Sequence, residues 1–156
     1  MILAVDIGGT KTDVGLFERE ENTLRLCSKA QFSSRNYSSL EEILTAFKEQ
    51  NPLSHIDAAC FGIAGPVIEG SCDTTNLPWK VRTSDLQAYL QLKNVRLLND
   101  LEATAYGMLY LKEEEFVDLN PEGQKREGNR AVIAAGTGLG EAILYHDGSG
   151  YHPIGT

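Results

Sequence analysis

A strand, a glycine-containing turn and a second strand occur twice along this chain, and this repetition constrains the fold more than any other feature. The first copy covers residues 2–18, where the turn Ile7–Thr10 separates two runs of strand-forming residues. The second copy consists of the apolar run Ala131–Ala135, the turn Gly136–Gly140 and the run Ala142–Tyr145. We interpret the two copies as related hairpins in two separate domains.

The segments between the hairpins predict alternating strands and helices. The expected strands are Thr23–Phe32, a buried parallel strand at Asp57–Ala64, and Val95–Leu98. The expected helices are one through Leu40–Phe47 after the capping box Ser38–Glu41, one near Ser84–Leu92 opened by Thr83 or Ser84, and one at Leu101–Leu111. This order predicts an α/β fold with a mixed sheet and flanking helices. The polar stretch Pro121–Arg130 predicts a linker, so we expect a small N-terminal lobe at residues 1–111 and the beginning of a large lobe at 112–156.

Charge and composition argue against several classes of partner. The net charge is −8 without a Lys/Arg cluster, and such a cluster is what nucleic-acid binding requires. The three cysteines have no zinc or disulfide spacing, and no apolar run approaches the roughly 20 residues of a membrane span. We therefore expect a cytoplasmic protein that binds neither nucleic acid nor a membrane.

The first turn, within Asp6-Ile-Gly-Gly-Thr-Lys11, has the residue types of a phosphate-binding loop. Gly8 and Gly9 would let a polyphosphate approach the backbone N–H groups closely. Thr10 offers a hydroxyl, Lys11 a positive charge and Asp6 a carboxylate for Mg²⁺. The alternative is an ordinary hairpin turn with a solubilising lysine. A P-loop is excluded, because its glycine–lysine spacing and its following helix are both absent.

The second turn is a further candidate for phosphate contact. Its G-x-G-x-G spacing and the strand expected after it exclude a dinucleotide-binding turn, which has G-x-G-x-x-G and opens a helix. Two interpretations stay open: a second phosphate loop formed by Gly136, Thr137 and Gly138, or a purely structural turn.

Two further polar segments are candidates for binding a substrate. Asn99 and Asp100 follow a buried strand, and ligands of open α/β sheets bind beyond such strand ends. Asp100 has the alternative role of capping the next helix. In the loop Asn76-Leu-Pro-Trp79, the Asn76 amide and the indole of Trp79 suit a carbohydrate pocket, although Trp79 has the alternative role of a core anchor.

Taken in order, the motifs resemble those of the bacterial glucokinases, members of the sugar-kinase, actin and Hsp70 superfamily. The resemblance rests on Asp6-Ile-Gly-Gly-Thr-Lys11, Gly62-Ile-Ala-Gly-Pro-Val67, Thr75-Asn-Leu-Pro-Trp79, Leu98-Asn-Asp100 and Ala135-Gly-Thr-Gly-Leu-Gly140. It implies an actin-like ATPase (ribonuclease H-like) fold that binds ATP and glucose in a cleft between two lobes.

The resemblance also implies roles for the candidate residues. The glycine turns, Gly8–Thr10 and Gly136–Gly138, would hold the phosphates of ATP, which Mg²⁺ would bridge. Asn99 would hydrogen-bond a sugar hydroxyl. Asp100 would accept the proton of the glucose 6-hydroxyl as that oxygen attacks the γ-phosphate. The full-length enzyme would be a homodimer.

In this family the segment after Thr156 is expected to read Glu-Gly-Gly-His, and an adenosine-binding segment lies further on. We therefore expect a truncated first half with little or no kinase activity of its own. The alternatives are a kinase for another hexose or amino sugar, such as an N-acetylated hexosamine, and a non-catalytic sugar-sensing protein. A sensor of the repressor type needs an N-terminal helix-turn-helix, for which residues 1–5 leave no room. An actin- or Hsp70-like ATPase is disfavoured by the segments Asn76–Trp79 and Asn99-Asp100.

Overall fold

A computed structural model of the chain describes residues 1–21, 23–51, 55–74, 76–124, 126–135 and 139–155. The chain divides into two compact units, Met1–Asp100 and Leu101–Thr156. The division precedes the predicted end of the N-terminal lobe at residue 111. The assignment of these units to the two lobes of an enzyme stays a prediction.

The first unit is built on a mixed sheet. Its elements are β1 (Ile2–Ile7), β2 (Lys11–Glu20), β3 (Thr23–Ser33), a 3-10 turn at Ser34–Asn36, α1 (Leu40–Gln50), β4 (Ala58–Ile63), β5 (Ser71–Asp73), β6 (Lys80–Arg82), α2 (Thr83–Leu90) and β7 (Val95–Asn99). The two short strands β5 and β6 pair with each other as an antiparallel ribbon. The predicted strands and helices of this unit are confirmed.

The main sheet has the strand order β3-β2-β1-β4-β7. Strands β1, β2 and β3 are antiparallel neighbours, whereas β4 runs parallel to both β1 and β7. Ile7 is aligned with Ile63, and Ile63 with Asn99, so the three parallel strands end at the same edge of the sheet. The loops that follow these strands therefore start side by side.

Alternation along the strands determines which face of this sheet is buried. Val14 and Leu16 of β2 are buried, and they pair with Val5 and Leu3 of the neighbouring strand β1, which are buried as well. Helix α1 covers this face with apolar side chains at helical spacing, namely Leu40, Ile43, Leu44 and Phe47. Each large apolar side chain removed from water contributes about 1.5–3 kcal/mol to folding.

The second unit pairs one helix with a small sheet. Its elements are α3 (Asp100–Met108), which begins at the last residue of the first unit, a 3-10 turn at Glu113–Glu115, β8 (Arg130–Ala135), β9 (Leu139–His146) and β10 (Tyr151–Gly155), in the sheet order β10-β9-β8. The predicted apolar face of α3 is confirmed, because Leu101, Ala105, Met108 and Leu109 pack against Val132, Ala142 and Leu144.

Several sequence-based element boundaries were wrong. Helix α1 is capped by Ser39 rather than Ser38, and α2 ends at Leu90 rather than Leu92. The predicted start of α2 at Thr83 is confirmed, although the Thr83 hydroxyl donates to the Gly70 carbonyl at 2.9 Å instead of capping the helix. Helix α3 ends at Met108 instead of Leu111, since tighter i→i+3 bonds close its last turn. The short strand β6 and the edge strand β10 were missed; Pro153 lacks an N–H, which argues against a strand anywhere but at a sheet edge.

Candidate active site

The turn between β1 and β2 leaves no space for side chains at its two glycines. The Gly8 N–H donates to the Lys11 carbonyl at 2.9 Å. A Cβ on Gly8 would lie 2.9 Å from the Lys11 carbonyl oxygen, and a Cβ on Gly9 would lie 2.8 Å from the Asn76 Cβ. The glycines are thus required first for close approach within the protein. The Gly8 N–H is used in the bond to Lys11, whereas the lack of a side chain on Gly9 leaves room for a ligand beside the turn.

Ser34, which follows β3, supports this turn from the protein interior. Its hydroxyl donates to the Gly8 carbonyl at 2.8 Å, and its backbone N–H donates to the Thr10 carbonyl at 3.0 Å. The Thr12 hydroxyl lies 2.9 Å from the Ser34 hydroxyl. Sequence reasoning missed Ser34, because only the pairing of Lys11 with Ser33 brings it to the turn.

Asp6 is exposed in β1, one residue before its end, and lies directly opposite Asp13 of β2. Partial desolvation by the surrounding protein raises the pKa of Asp6 above the ordinary 3.8, and repulsion from Asp13 and Asp100 raises this pKa further. Lys11 and Lys29 act in the opposite direction without cancelling the shift. The nearby lysines therefore only partly compensate the negative charge of the Asp6 carboxylate.

Asp13 is held quite differently, although it faces the same side of the sheet. Lys29 forms an ion pair with its carboxylate at 3.1 Å, and the Gln31 amide donates to both carboxylate oxygens at 3.0 and 3.1 Å. Desolvation opposes ionisation, but these bonds outweigh it and lower the pKa of Asp13 below its ordinary value. Asp13 and its partners were missed, because their contact depends on the β2–β3 register.

The loop between β5 and β6 alternates between buried and exposed residues. Leu77 and Trp79 are buried in the core of the first unit, and the Trp79 indole N–H donates to the Tyr37 carbonyl at 3.3 Å. Asn76 is exposed and lies against Gly9, in a small crevice that Gly8 also lines. The core-anchor alternative for Trp79 is confirmed, and Asn76 is exposed to solvent, as is Pro78.

Asn99 and Asp100 stand at the carboxyl end of β7, at the same sheet edge as the glycine turn. The Asn99 side-chain amide donates to the Gly65 carbonyl at 3.0 Å, which ties this strand end to the loop after β4. Asp100 is the first residue of α3, and its charge is felt by Asp6. The structure therefore brings the first hairpin, Asn76, Asn99 and Asp100 to one edge of one sheet.

The glucokinase family model matches residues 3–156, which is nearly the whole chain. The chain belongs to the glucokinase family. A glucokinase of Synechocystis sp. is 35% identical over 163 residues, and the match covers 97% of this chain and 46% of the relative. The chain thus spans about half the length of the relatives it matches.

Solved glucokinase structures share the fold of this glucokinase-family chain. A glucokinase from an Antarctic psychrotroph matches with a TM-score of 0.86 at 28% identity, over 99% of this chain and 49% of that one. A ROK family glucokinase from Streptomyces griseus, in complex with glucose and AMPPNP, matches with a TM-score of 0.62 at 25% identity, over 92% of this chain and 44% of that one. These matches confirm the actin-like ATPase fold that the motifs predicted.

Some predicted features of this glucokinase-family chain lie outside what the structure describes. Gly136, Thr137 and Gly138 are not among the described residues, so the second phosphate loop stays a prediction. Within the described ranges, no group of three or more His, Cys, Asp or Glu side chains is arranged to hold a metal ion. In the same ranges, no helix is both long and apolar enough to cross a membrane.

Proposed function

We propose that the complete protein carrying this chain transfers the γ-phosphoryl group of ATP to the 6-hydroxyl of glucose and forms glucose 6-phosphate. The observation that carries the proposal is the shared sheet edge, where a turn with two adjacent glycines and the carboxylate of Asp100 follow parallel strands. Phosphoryl transfer requires such a pair, a phosphate cradle and a group that orients the attacking hydroxyl. Family membership and the glucose and AMPPNP bound by the Streptomyces griseus enzyme support the choice of substrates.

In this proposal the first hairpin binds the phosphates of ATP. The backbone amides of Gly9 and Thr10 donate to phosphate oxygens, because the Gly8 N–H is already bonded to the Lys11 carbonyl and Gly8 contributes only the close approach. Lys11 contributes a positive charge that β2 holds at the end of the turn. An acidic chain with a net charge of −8 gains affinity for an anion mainly from such directed amides. We assign the second phosphate loop to Gly136, Thr137 and Gly138.

Magnesium would enter with ATP, and the residues present fit it at one position. The incompletely compensated carboxylate of Asp6 offers a hard oxygen ligand, and a divalent cation beside it would relieve the repulsion from Asp13 and Asp100. When bound, the cation neutralises charge on the phosphates. The remaining ligands would come from phosphate oxygens and water, because Mg²⁺ is usually held by only one or two protein carboxylates.

The sugar would bind at the carboxyl ends of β4 and β7. Asn99 and Asn76 offer amide groups to sugar hydroxyls, with Asn99 oriented by its bond to Gly65. Asp100 accepts the proton of the 6-hydroxyl as that oxygen attacks the γ-phosphate. Because the transition state is loose and the nucleophile needs little activation, a carboxylate that mainly orients the hydroxyl suffices.

The proposal is tested by assaying glucose 6-phosphate formation by the full-length protein with ATP, Mg²⁺ and a panel of sugars that includes N-acetylated hexosamines. We expect Asp100→Asn to lower kcat by about a hundredfold or more, the range over which positioned acid–base groups act, while the melting temperature stays near that of wild type. Asp85→Asn is the matched control, since Asp85 lies in the first turn of α2 and pairs with Arg82.

The possible results separate the parts of the proposal. Near-normal kcat in Asp100→Asn would remove Asp100 from its role. Preferential turnover of another hexose or of an amino sugar would redirect the substrate to the alternative sugar kinase, and no turnover of any sugar would contradict the kinase function. We further propose a cytoplasmic homodimer, which light scattering of the full-length protein and fractionation of cells test.

A further inference from the structure

We propose that Ser34, supported by Thr12, is a positioning residue that orients the Gly8–Thr10 turn for phosphate binding. This inference deepens the proposed function and rests on it, because it concerns the binding of the nucleotide. Neither residue belongs to the candidate site itself, and both lie beneath the turn rather than beside a ligand.

Burial is the first observation that singles these two residues out. Among the described residues, Thr12 and Ser34 are the polar side chains that are buried, each with no exposed surface. Their neighbours on the same sheet face, such as Val14 and Leu16, are apolar. Burying a hydroxyl costs free energy unless the hydroxyl is hydrogen-bonded. Valine has the same shape as threonine and would fit at position 12, so the hydroxyl of Thr12 indicates that its hydrogen bond to Ser34 has a role.

The hydroxyls of Thr12 and Ser34 form a chain of hydrogen bonds in which each donates towards the Gly8 carbonyl. The Ser34 hydroxyl has a single proton, which it donates to the Gly8 carbonyl at 2.8 Å. In the 2.9 Å contact with Ser34, Thr12 must therefore be the donor. The Ser34 backbone N–H holds the Thr10 carbonyl at 3.0 Å. One residue thus holds the carbonyls at both ends of the turn.

Peptide geometry turns this support into an orientation of the amides. In a trans peptide group, the C=O of one residue and the N–H of the next point in opposite directions. With the Gly8 and Thr10 carbonyls directed at Ser34, the N–H groups of Gly9 and Lys11 point away from Ser34. A rotated Gly8–Gly9 peptide would present a carbonyl oxygen where the proposed phosphate needs a donor, and that oxygen would repel the anion.

The test measures binding of the MgATP analogue AMPPNP and of glucose to the full-length protein by calorimetry. We expect Ser34→Ala to weaken AMPPNP binding about five- to tenfold, the equivalent of one hydrogen bond, and to leave the affinity for glucose within about twofold of wild type. Thr12→Val should act in the same direction to a smaller extent, whereas Thr12→Ser keeps the hydroxyl and should restore binding. In the Ser34→Ala background, Thr12→Val should add almost nothing, because Thr12 acts through Ser34.

Ser28→Ala is the matched control. Ser28 lies in the same strand, β3, and its hydroxyl donates to the Asn51 side chain, away from the turn. This variant also loses a side-chain hydrogen bond, so a general loss of stability would appear in both variants, but only Ser34→Ala should weaken AMPPNP binding. As a second measurement, the NMR order parameter of the Gly9 amide should fall from about 0.85 towards 0.6 in Ser34→Ala alone.

Unchanged AMPPNP affinity in a folded Ser34→Ala variant would overturn the inference, and so would a Thr12→Ser variant as weak as Thr12→Val. A fall in the Gly9 order parameter without weaker AMPPNP binding would overturn it as well, since the turn would then be positioned for something other than phosphate. Absence of phosphoryl transfer by wild-type protein contradicts the proposed function instead. The binding data still decide the role of Ser34 in that case.

Discussion

Asp6 and Asp13 face each other across the first hairpin, yet their pKa values move in opposite directions. Desolvation and repulsion raise the pKa of Asp6, whereas Lys29 and Gln31 lower that of Asp13 in spite of desolvation. Because the folded-state pKa of Asp6 exceeds its unfolded value, the stability that this group contributes is present below the ordinary 3.8 and is lost as the pH rises through the folded pKa. For Asp13 the dependence is reversed: its contribution is present above 3.8 and is lost as the pH falls through the folded pKa.

Asp6→Asn should therefore stabilise the protein at neutral pH, by at most about 1 kcal/mol because solvent screens exposed carboxylates. The gain should vanish as the pH falls to the ordinary pKa of Asp6, where the wild-type carboxyl is protonated as well. Thermal unfolding followed by circular dichroism from acidic to neutral pH measures both effects. Asp13→Asn is the control of opposite sign, and lower stability of Asp6→Asn at neutral pH would show that the charge of Asp6 is compensated.

Gly9 is constrained by a neighbouring loop rather than by its own backbone angles. Gly9→Ala should lower the free energy of unfolding by about 1–3 kcal/mol, as overpacking does, because the new Cβ would meet the Asn76 Cβ at 2.8 Å. Asn76→Gly should rescue part of this loss, and Asn76→Ala should not, since alanine keeps the Cβ. Denaturant unfolding of the single and double variants measures the coupling.

Gly107→Ala is the matched control for this substitution. Gly107 lies in α3, and a Cβ there would have no heavy atom within 4 Å. Replacing this exposed helical glycine by alanine should raise the free energy of unfolding by up to about 1 kcal/mol. Equal losses of stability at positions 9 and 107 would mean that the contact with Asn76 is not the cause.

Helix α1 illustrates how a local pattern can identify an element and still misplace its first residue. Consecutive serines and consecutive glutamates allow two capping registers, Ser38 with Glu41 or Ser39 with Glu42. In the structure the Ser39 hydroxyl accepts from the Glu42 N–H, and the Glu42 carboxylate accepts from the N–H and hydroxyl of Ser38. Leu40 is then the first residue of the helix, and its side chain is buried on the same face as Phe47.

Ser39→Ala should consequently destabilise the protein by about 0.5–2 kcal/mol, the usual effect of losing an N-cap. Ser84→Ala is the comparison at α2, the helix that the sequence predicted to open at Thr83 or Ser84. Helix α2 follows Arg82, which makes no side-chain cap, and the Ser84 hydroxyl bonds only to the exposed Asp85 carboxylate among its described contacts. We expect Ser84→Ala to be close to neutral in denaturant unfolding, and a loss as large as that of Ser39→Ala would show that Ser84 caps α2.

The two compact units differ in how much apolar surface they bury. The first unit has a continuous core that joins the sheet, α1 and α2, whereas the buried core of the described second unit consists of Ala105, Val132, Ala142 and Leu144. On the second sheet, large apolar side chains are exposed, among them Ile133, Ile143 and Ile154. Large exposed apolar patches mark surfaces that associate with other protein.

We expect the isolated 156-residue chain to form little or no glucose 6-phosphate under conditions in which the full-length protein is active. The chain spans about half the length of the relatives it matches, and the described part of the second unit buries few apolar side chains. The measurement is the same assay of glucose 6-phosphate, with circular dichroism to show that the chain is folded. Turnover at a rate comparable with that of the full-length protein would contradict this expectation.

Local periodicity accounts for what could be predicted about the fold. The alternation in β2 and the helical spacing of Leu40, Ile43, Leu44 and Phe47 are properties of short segments, so they are readable without knowledge of any partner. The ordered motifs likewise predicted the family, since each motif is contiguous in sequence. Boundaries were less predictable, because caps and helix ends depend on contacts such as that of Thr83 with Gly70.

The sequence by itself therefore determined most of the elements, the apolar faces, the actin-like fold and the set of candidate residues at the first hairpin and at Asn99-Asp100. Only the tertiary structure decided which groups surround them: Ser34 beneath the turn, Lys29 and Gln31 on Asp13, and Asn76 against Gly9. The physical reason is that these contacts join residues far apart in the chain. The register of β2 with β3 brings Ser34, Lys29 and Gln31 to their partners, and the path of the β5–β6 loop brings Asn76 to Gly9. A shift of register by one residue turns each side chain to the opposite face, so no local pattern specifies them.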